Sequence, residues 1–195
     1  DAVGKPMRNV EVKLANDGEI IVRGELLMNG YWNNPADTKK TIVDGWLHTG
    51  DIGEFDARGR IKITDRKKDI IVLSGGDNVS PARVEGFLTI QSEIGQAMVI
   101  GDKRPHCAAL IVPDDEWLID FKKETGKTGT LADLADDPEL HKRLSAAVNR
   151  VNQELSNIEK VRKFAVATGE FTTDNAQLTP SMKVRRHVVK QDYES

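Results

Sequence analysis

The stretch G-W-L-H-T-G-D, Gly45 to Asp51, followed by T-D-R-K-K-D-I-I-V-L-S-G-G-D-N-V-S-P-A-R-V-E, Thr64 to Glu85, decides how the chain is read. An acidic residue follows a glycine turn. A charged break, Asp65-Arg66-Lys67-Lys68-Asp69, separates two apolar runs of β character. A Ser74-Gly75-Gly76 loop comes next, and Ser80-Pro81 then opens a helix. Ser80 is a good N-cap, and Pro81 suits a first helical position, where its missing N–H costs nothing. The composition of the chain changes at the charged break.

Before the break the pattern is β-rich. Val10 to Leu14 alternates apolar and charged residues, Asn16-Asp17-Gly18 is a turn, and Glu19 to Arg23 returns as a second strand. Pro35 opens a short helix, and Trp46 to Phe55 and Arg60 to Thr64 read as strands about the Asp56–Gly59 turn. Trp32 and Trp46 read as packing residues. After the break, strands alternate with helices. Ile70 to Leu73, Gln96 to Ile100, Ala108 to Val112 and Val161 to Ala167 read as strands. Helices are expected from Pro81 to about Gln91, from Asp114 onward, from Pro138 to Leu155 and from about Ser181 to the end, with a helical turn at Leu131 to Ala135. The fold class is therefore α+β: a small β-rich subdomain over 1–66, then a compact α/β domain over 67–195 with a small sheet flanked by helices.

The 195 residues carry 38% hydrophobic and 30% charged residues, enough for a packed core. A net charge of −3 makes no global case for nucleic acid or an anionic membrane as partner. No apolar run is long enough to span a bilayer. The single cysteine, Cys107, excludes an intrachain disulfide and reads as a buried small hydrophobe. His48, His106, His141 and His187 are scattered, and no metal site is expected. The opening D-A-V-G-K-P suggests a piece of a longer protein.

Several residues invite two readings each. Asp51 can accept hydrogen bonds from both hydroxyls of a ribose, or be a turn aspartate. Arg66 can donate a planar fork to ribose or phosphate oxygens, or be a solvated charge, a description that fits Lys67 better. Lys68 suits a hinge, which must absorb rotation without burial. Ser74, Gly75 and Gly76 allow a ligand to approach backbone closely, or make a tight turn. Lys183 in L-T-P-S-M-K-V-R-R supplies a compact charge for an anionic centre, or lies on a basic surface helix. Together these parts fit a nucleotide-handling site joined through a hinge to a mobile cap.

In order, the pieces resemble the adenylate-forming enzyme superfamily, which includes acyl-CoA synthetases, luciferases and peptide-synthetase adenylation domains. G-E-L-L-M-N-G-Y-W-N-N-P-A-D-T resembles an early family segment and G-W-L-H-T-G-D its ribose-binding motif. The run from Asp65 to Glu85 resembles its hinge and cap loop, and L-T-P-S-M-K-V-R-R its terminal lysine motif. S-G-G-D-N-V-S-P and F-T-T-D-N-A-Q-L-T-P-S-M-K-V-R-R are similar to the long-chain fatty-acid CoA ligase branch; other branches more often carry Gly where Met182 stands.

The resemblance implies a two-step reaction. A fatty carboxylate attacks the α-phosphate of ATP to give acyl-AMP, and the thiol of CoA then displaces AMP. It implies that Lys183 serves the first step and the Ser74-Gly75-Gly76 loop makes room for pantetheine in the second. Lys68 is then the pivot, and Asp51 and Arg66 contact the nucleotide. The family's phosphate loop and its Y-G-x-T-E segment are absent from this sequence, so magnesium and adenine contacts are expected outside it and the piece alone is expected to be inactive. The expected compartment is the cytoplasm, with peripheral membrane contact open. The other readings are an acyl-AMP ligase loading a carrier protein and a stand-alone binding module without catalysis.

Overall fold

A computed structural model describes residues 2–193. The chain divides into two compact units, Asp1–Ile70 and Ile71–Ser195.

The first unit is built on a branched antiparallel sheet. Strand β1 (Val10–Leu14) pairs with β2 (Glu19–Gly24) in the register Val12 to Val22, which closes the hairpin that Asn16-Asp17-Gly18 announces. Helix α1 (Pro35–Thr41) is capped by the Asn34 side chain and leads into the short β3 (Ile42–Val43). The long β4 (Trp46–Phe55) pairs with β2, with β3 at its start and with β5 (Ile61–Arg66) from Asp51 onward. A 3-10 turn, Lys67–Asp69, follows. This unit has little interior. Among its described residues only Glu19, Ile20 and Ile21 are fully buried.

Trp46 packs as its type suggests, flanked by the Lys13 ammonium at 4.0 Å and the Arg23 guanidinium at 4.6 Å from the ring centre. Trp32 does not pack. It is 92% exposed, because the connection from Gly24 to Asn34 contributes no buried residue.

The second unit has a real core. Strands β6 (Ile71–Val72) and β7 (Asn78–Val79) form a short hairpin, where the sequence suggests one longer strand from Ile70 to Leu73. Helix α2 (Pro81–Thr89) follows, with the Ser80 side chain accepting from the Arg83 N–H. Strand β8 (Ile94–Ile100) runs antiparallel to β9 (Cys107–Pro113). Helix α3 (Asp115–Thr125) is capped by Asp114 and carries acids in its first turn and lysines in its last, which suits the helix dipole. A single helical turn, α4 (Leu131–Leu134), sits behind a Thr130–Asp133 capping box. Helix α5 (Pro138–Glu154) buries Leu140, Leu144, Ala147, Val148 and Val151, a stripe at helical spacing. Strand β10 (Val161–Val166) then lies parallel to β9, so the sheet order is β10-β9-β8.

The terminal helix α6 (Arg186–Tyr193) begins five residues later than the sequence suggests. Before it, Leu178 bridges Val184, Met182 adopts φ +60°, and the segment folds back as a turn. The expected helix extends to the end of the chain, and its last two positions, Glu194 and Ser195, lie outside the described residues.

Alternation along β8 and β9 divides this core in two. Ala97, Val99, Cys107, Ala109 and Ile111 join a cluster with Ile71, Leu73 and Val79 and with α2, α3 and α5. Met98, Leu110 and Val112 join Ala167, Phe171, Leu178 and Val189 on the other face. Cys107 is fully buried, and burial pushes its thiol pKa up. Leu144 is fully buried in the larger cluster, so Leu144→Ala should cost about 2–5 kcal/mol, read as a shift in the denaturant midpoint.

Candidate functional site

Two groups of sequence-predicted residues come from separate parts of the fold. The first is set by a bulge in β4. Glu19 pairs with Ile52 and Ile21 with His48, so the two sides of the ladder differ in length and Thr49-Gly50-Asp51 is pushed out of it. Gly50 sits at φ +73°, a left-handed conformation that strains any side chain, whereas a Cβ there would find only Arg66 Nη1 at 3.8 Å. The glycine is required by backbone conformation and not by crowding.

The bulged backbone finds its partners in side chains. The Gly50 N–H donates to Glu19 Oε1 at 2.9 Å, the Thr49 hydroxyl donates to the Ile20 carbonyl at 2.7 Å, and the Asp51 N–H donates to Thr49 Oγ1 at 3.1 Å. Asp51 stands opposite Arg66 across β4 and β5, and Arg66 Nε lies 3.0 Å from Asp51 Oδ1. The structure thus brings these two predicted residues together. The guanidinium engages Oδ1 and keeps donors to spare, and Oδ2 has no hydrogen-bond partner among the described residues.

Lys67 is exposed, as its sequence position suggests, but it has partners. Its ammonium pairs with Asp17 at 2.7 Å and with the buried Glu19 at 2.9 Å, because the 3-10 turn folds back toward the β1–β2 hairpin. His48 is not idle either: its Nδ1 lies 2.7 Å from Glu19 Oε2. Burial of Glu19 opposes ionisation, yet the His48, Lys67 and Gly50 partners outweigh it and hold the carboxyl below its ordinary value of 4.5. Lys68, by contrast, is exposed and makes no salt bridge among the described residues.

The second group lies in the second unit, and there the structure keeps its members apart. Ser74, Gly75 and Gly76 form the turn of the β6–β7 hairpin. The Gly76 N–H donates to the Leu73 carbonyl at 2.9 Å, the Leu73 N–H to the Asp77 carbonyl at 2.9 Å, and the Ser74 N–H to the Arg104 carbonyl at 2.9 Å. Gly76 is at φ +89°, and a Cβ on it would meet nothing within 4 Å. The loop is a tight turn with open space outside it. Its hairpin is rooted by Ile71, Leu73 and Val79 in the larger cluster.

Lys183 belongs to the other face. Leu178 and Val184, which bracket its turn, pack in the smaller cluster. Both backbone groups of Lys183 are spoken for: its N–H donates to Thr179 Oγ1 at 3.0 Å, and its carbonyl accepts from the Thr179 N–H at 2.8 Å. The side chain is exposed, with no ion pair among the described residues. It lies on a turn ahead of α6 rather than on a basic surface helix. Arg186 is not a free surface charge. Its guanidinium donates to both Glu85 oxygens at 2.7 and 2.6 Å and to the Val99 carbonyl at 3.1 Å, while the Val99 N–H donates to Glu85 at 2.7 Å. The pair thereby satisfies both polar groups of Val99 on the edge strand β8.

The chain is similar to known proteins throughout. A family described as AMP-binding enzyme C-terminal domain matches residues 68–195. Long-chain-fatty-acid–CoA ligase FadD15 of Mycobacterium tuberculosis is 43% identical over 195 residues, 99% of this chain and 32% of that protein. Human long-chain-fatty-acid–CoA ligase 6 is 33% identical, covering 97% of this chain and 29% of the relative. Among solved structures, the amide bond synthetase McbA from Marinactinospora thermotolerans is similar at 28% identity and a TM-score of 0.67, over 98% of this chain and 36% of that one. The chain spans about a third of the length of these relatives. No group of three or more His, Cys, Asp or Glu that could hold a metal stands together among the described residues, and none of their helices is long and apolar enough to cross a membrane.

Two measurements check the geometry. A carboxylate with a depressed pKa stabilises the fold fully above its unfolded value and loses that contribution as pH falls through the folded value. Stability should therefore fall as pH drops below 4.5, and Glu19→Gln should flatten this acid limb in denaturant titrations. Met182 occupies φ +60°, so Met182→Gly should raise stability by about 0.5–1 kcal/mol, the left-handed strain relieved less the entropy glycine adds to the unfolded chain.

Proposed function

The chain belongs to the family of AMP-binding enzyme C-terminal domains, and from that premise we propose that it is the last third of a long-chain fatty-acid–CoA ligase. The observation that carries this reading is the match of nearly the whole chain, both units included, to enzymes of that name. The whole protein would take ATP, a fatty acid and CoA. The carboxylate oxygen of the fatty acid would attack the α-phosphorus of ATP and expel pyrophosphate. The sulfur of CoA would then attack the acyl carbon and expel AMP.

In this reading Asp51 accepts hydrogen bonds from the ribose hydroxyls through the oxygen that Arg66 leaves open, and Arg66 donates to the nucleotide as well. Lys183 offsets the negative charge that gathers between carboxylate and phosphate in the first step. Its unpaired, exposed ammonium on a fixed turn supports that role. The Ser74–Gly76 turn leaves room for the pantetheine arm in the second step. The placement of these two elements on opposite faces of the β10-β9-β8 sheet supports a cap that offers one face per step. Lys68 is the pivot between the two units, two residues before the end of the first, which closes at Ile70 rather than at residue 66. Magnesium would accompany ATP and be held by residues outside this chain. The compartment that fits is the cytoplasm, with peripheral contact at a membrane surface where fatty acids partition.

The test separates the two half-reactions in the full-length protein. Lys183→Ala should slow acyl-AMP formation by about 10²- to 10³-fold and leave thioester formation from supplied acyl-AMP much less affected. Lys68→Pro should stiffen the pivot and harm thioester formation more than adenylation. Equal damage to both half-reactions in both variants would remove the division of labour. Release of AMP without acyl-CoA, when wild-type enzyme is given ATP, a long-chain fatty acid and CoA, would remove CoA as the acceptor.

A further inference from the structure

Glu19 is one of three fully buried residues described in the first unit, at 2% exposure, and the only charged one among them. A buried carboxylate costs several kcal/mol unless every lone pair finds a donor. Here the donors come from places that matter. Oε1 receives the N–H of Gly50, the residue before Asp51. Oε2 receives the Lys67 ammonium, directly before Lys68, and lies beside His48. Asp17 also grips Lys67, and its Oδ1 accepts the Glu19 N–H at 3.1 Å.

We propose that Glu19 is a positioning residue, whose buried carboxylate ties the nucleotide-binding Asp51 turn and the stationary end of the hinge to one anchor. This rests on the roles proposed above for Asp51 and Lys68. Without a ladder partner, the Gly50 N–H would be free to rotate the bulge and re-aim Asp51; the carboxylate fixes it. Lys67, held by two carboxylates, stays with the first unit. Rotation of the cap then begins at Lys68, which has no such tether among the described residues. Glu19 touches no reacting atom and acts only through Asp51 and Lys67.

The full-length enzyme tests this with Glu19→Gln, which keeps the shape and removes the charge, and Lys67→Met, which cuts the hinge arm and leaves the Gly50 bond to Oε1 and the His48 contact at Oε2 in place. Glu19→Gln should raise the AMP Kd, measured by calorimetry, about tenfold and speed hydrogen exchange at the Gly50 amide. Lys67→Met should leave the AMP Kd within about twofold and single-turnover adenylation nearly unchanged, while steady-state turnover, which needs the cap to swing, slows about tenfold. If Glu19→Gln lowers Tm but leaves AMP affinity and Gly50 exchange as in wild type, Glu19 is a structural ion pair and the proposal fails. It fails equally if Lys67→Met slows single-turnover adenylation and turnover alike. Should Glu19→Gln not fold, the two Lys67→Met rates decide. AMP affinity and amide exchange require no acyl acceptor. A wild-type enzyme that binds AMP but forms no acyl-CoA therefore overturns the ligase reading and leaves the anchor testable.

Discussion

Side-chain alternation along β8 and β9 is the constraint on which the second unit depends. With a period of two, neighbouring residues must serve different cores: Ala97 and Val99 one, Met98 the other. Register makes the division hold across strands, because Met98 pairs with Leu110 and Val99 with Ala109. A slip of one residue would send each set to the wrong face. Everything that packs on the sheet inherits this choice. The β6–β7 hairpin joins the Val99 face through Leu73 and Val79, and the turn bearing Lys183 joins the Met98 face through Leu178 and Val184. Separation of the glycine turn from the lysine is a consequence of strand geometry, with no dedicated device.

The first unit solves a different problem. With two isoleucines as its fully buried apolar residues, it cannot rely on apolar burial to set the fine geometry of Asp51. Directional bonds take that role. Glu19, Thr49 and Arg66 hold the bulge by hydrogen bonds of defined length and direction, which apolar contacts cannot supply. The lowered pKa of Glu19 says that its partners more than offset desolvation. The same bonds make the site sensitive to loss of one partner, since a buried carboxylate left short of donors is costly.

Local signals made much of this legible in the sequence. Ser80 and Asp114 are caps whose donors lie three residues away, so the starts of their helices could be placed from the residues alone, and the amphipathic spacing after Pro138 places the long helix α5. The β1–β2 hairpin and the full span of β4 were equally readable from alternation and turn residues. What could not be read depends on partners far along the chain. The ion pairs of Lys67 could not be read because its partners, Asp17 and Glu19, lie about fifty residues earlier. The pairing of Arg186 could not be read because Glu85 and Val99 reach it only after the sheet has formed. Trp32 looked like a packing residue because residue type speaks for burial, whereas its connection offers no core to enter. One signal for Glu19 was available: a charged residue begins an apolar run, E-I-I-V, just after a turn. Charge at a strand start is ordinarily solvated, and here the Gly50 N–H of the β4 bulge joins His48 and Lys67 as its partners inside.

The turn before α6 shows why a lysine can be exposed and still well placed. A helix running from Ser181 would have put Lys183 on a regular surface with its neighbours. Instead the left-handed Met182 reverses the chain, and the Met182 N–H donates to the Thr179 carbonyl at 2.8 Å. The backbone of Lys183 is then locked at both its N–H and its carbonyl by Thr179. Fixing the backbone removes the part of the ordering entropy that a loop residue would lose on meeting an anion, about 1–2 kcal/mol per residue. Only the side-chain torsions remain to be ordered. Strain of about 1–2 kcal/mol at Met182 is of the same size. The turn thus exchanges a standing cost in the fold for a smaller cost in the role proposed for Lys183, a trade that makes sense for a residue whose ammonium has no partner of its own among the described residues.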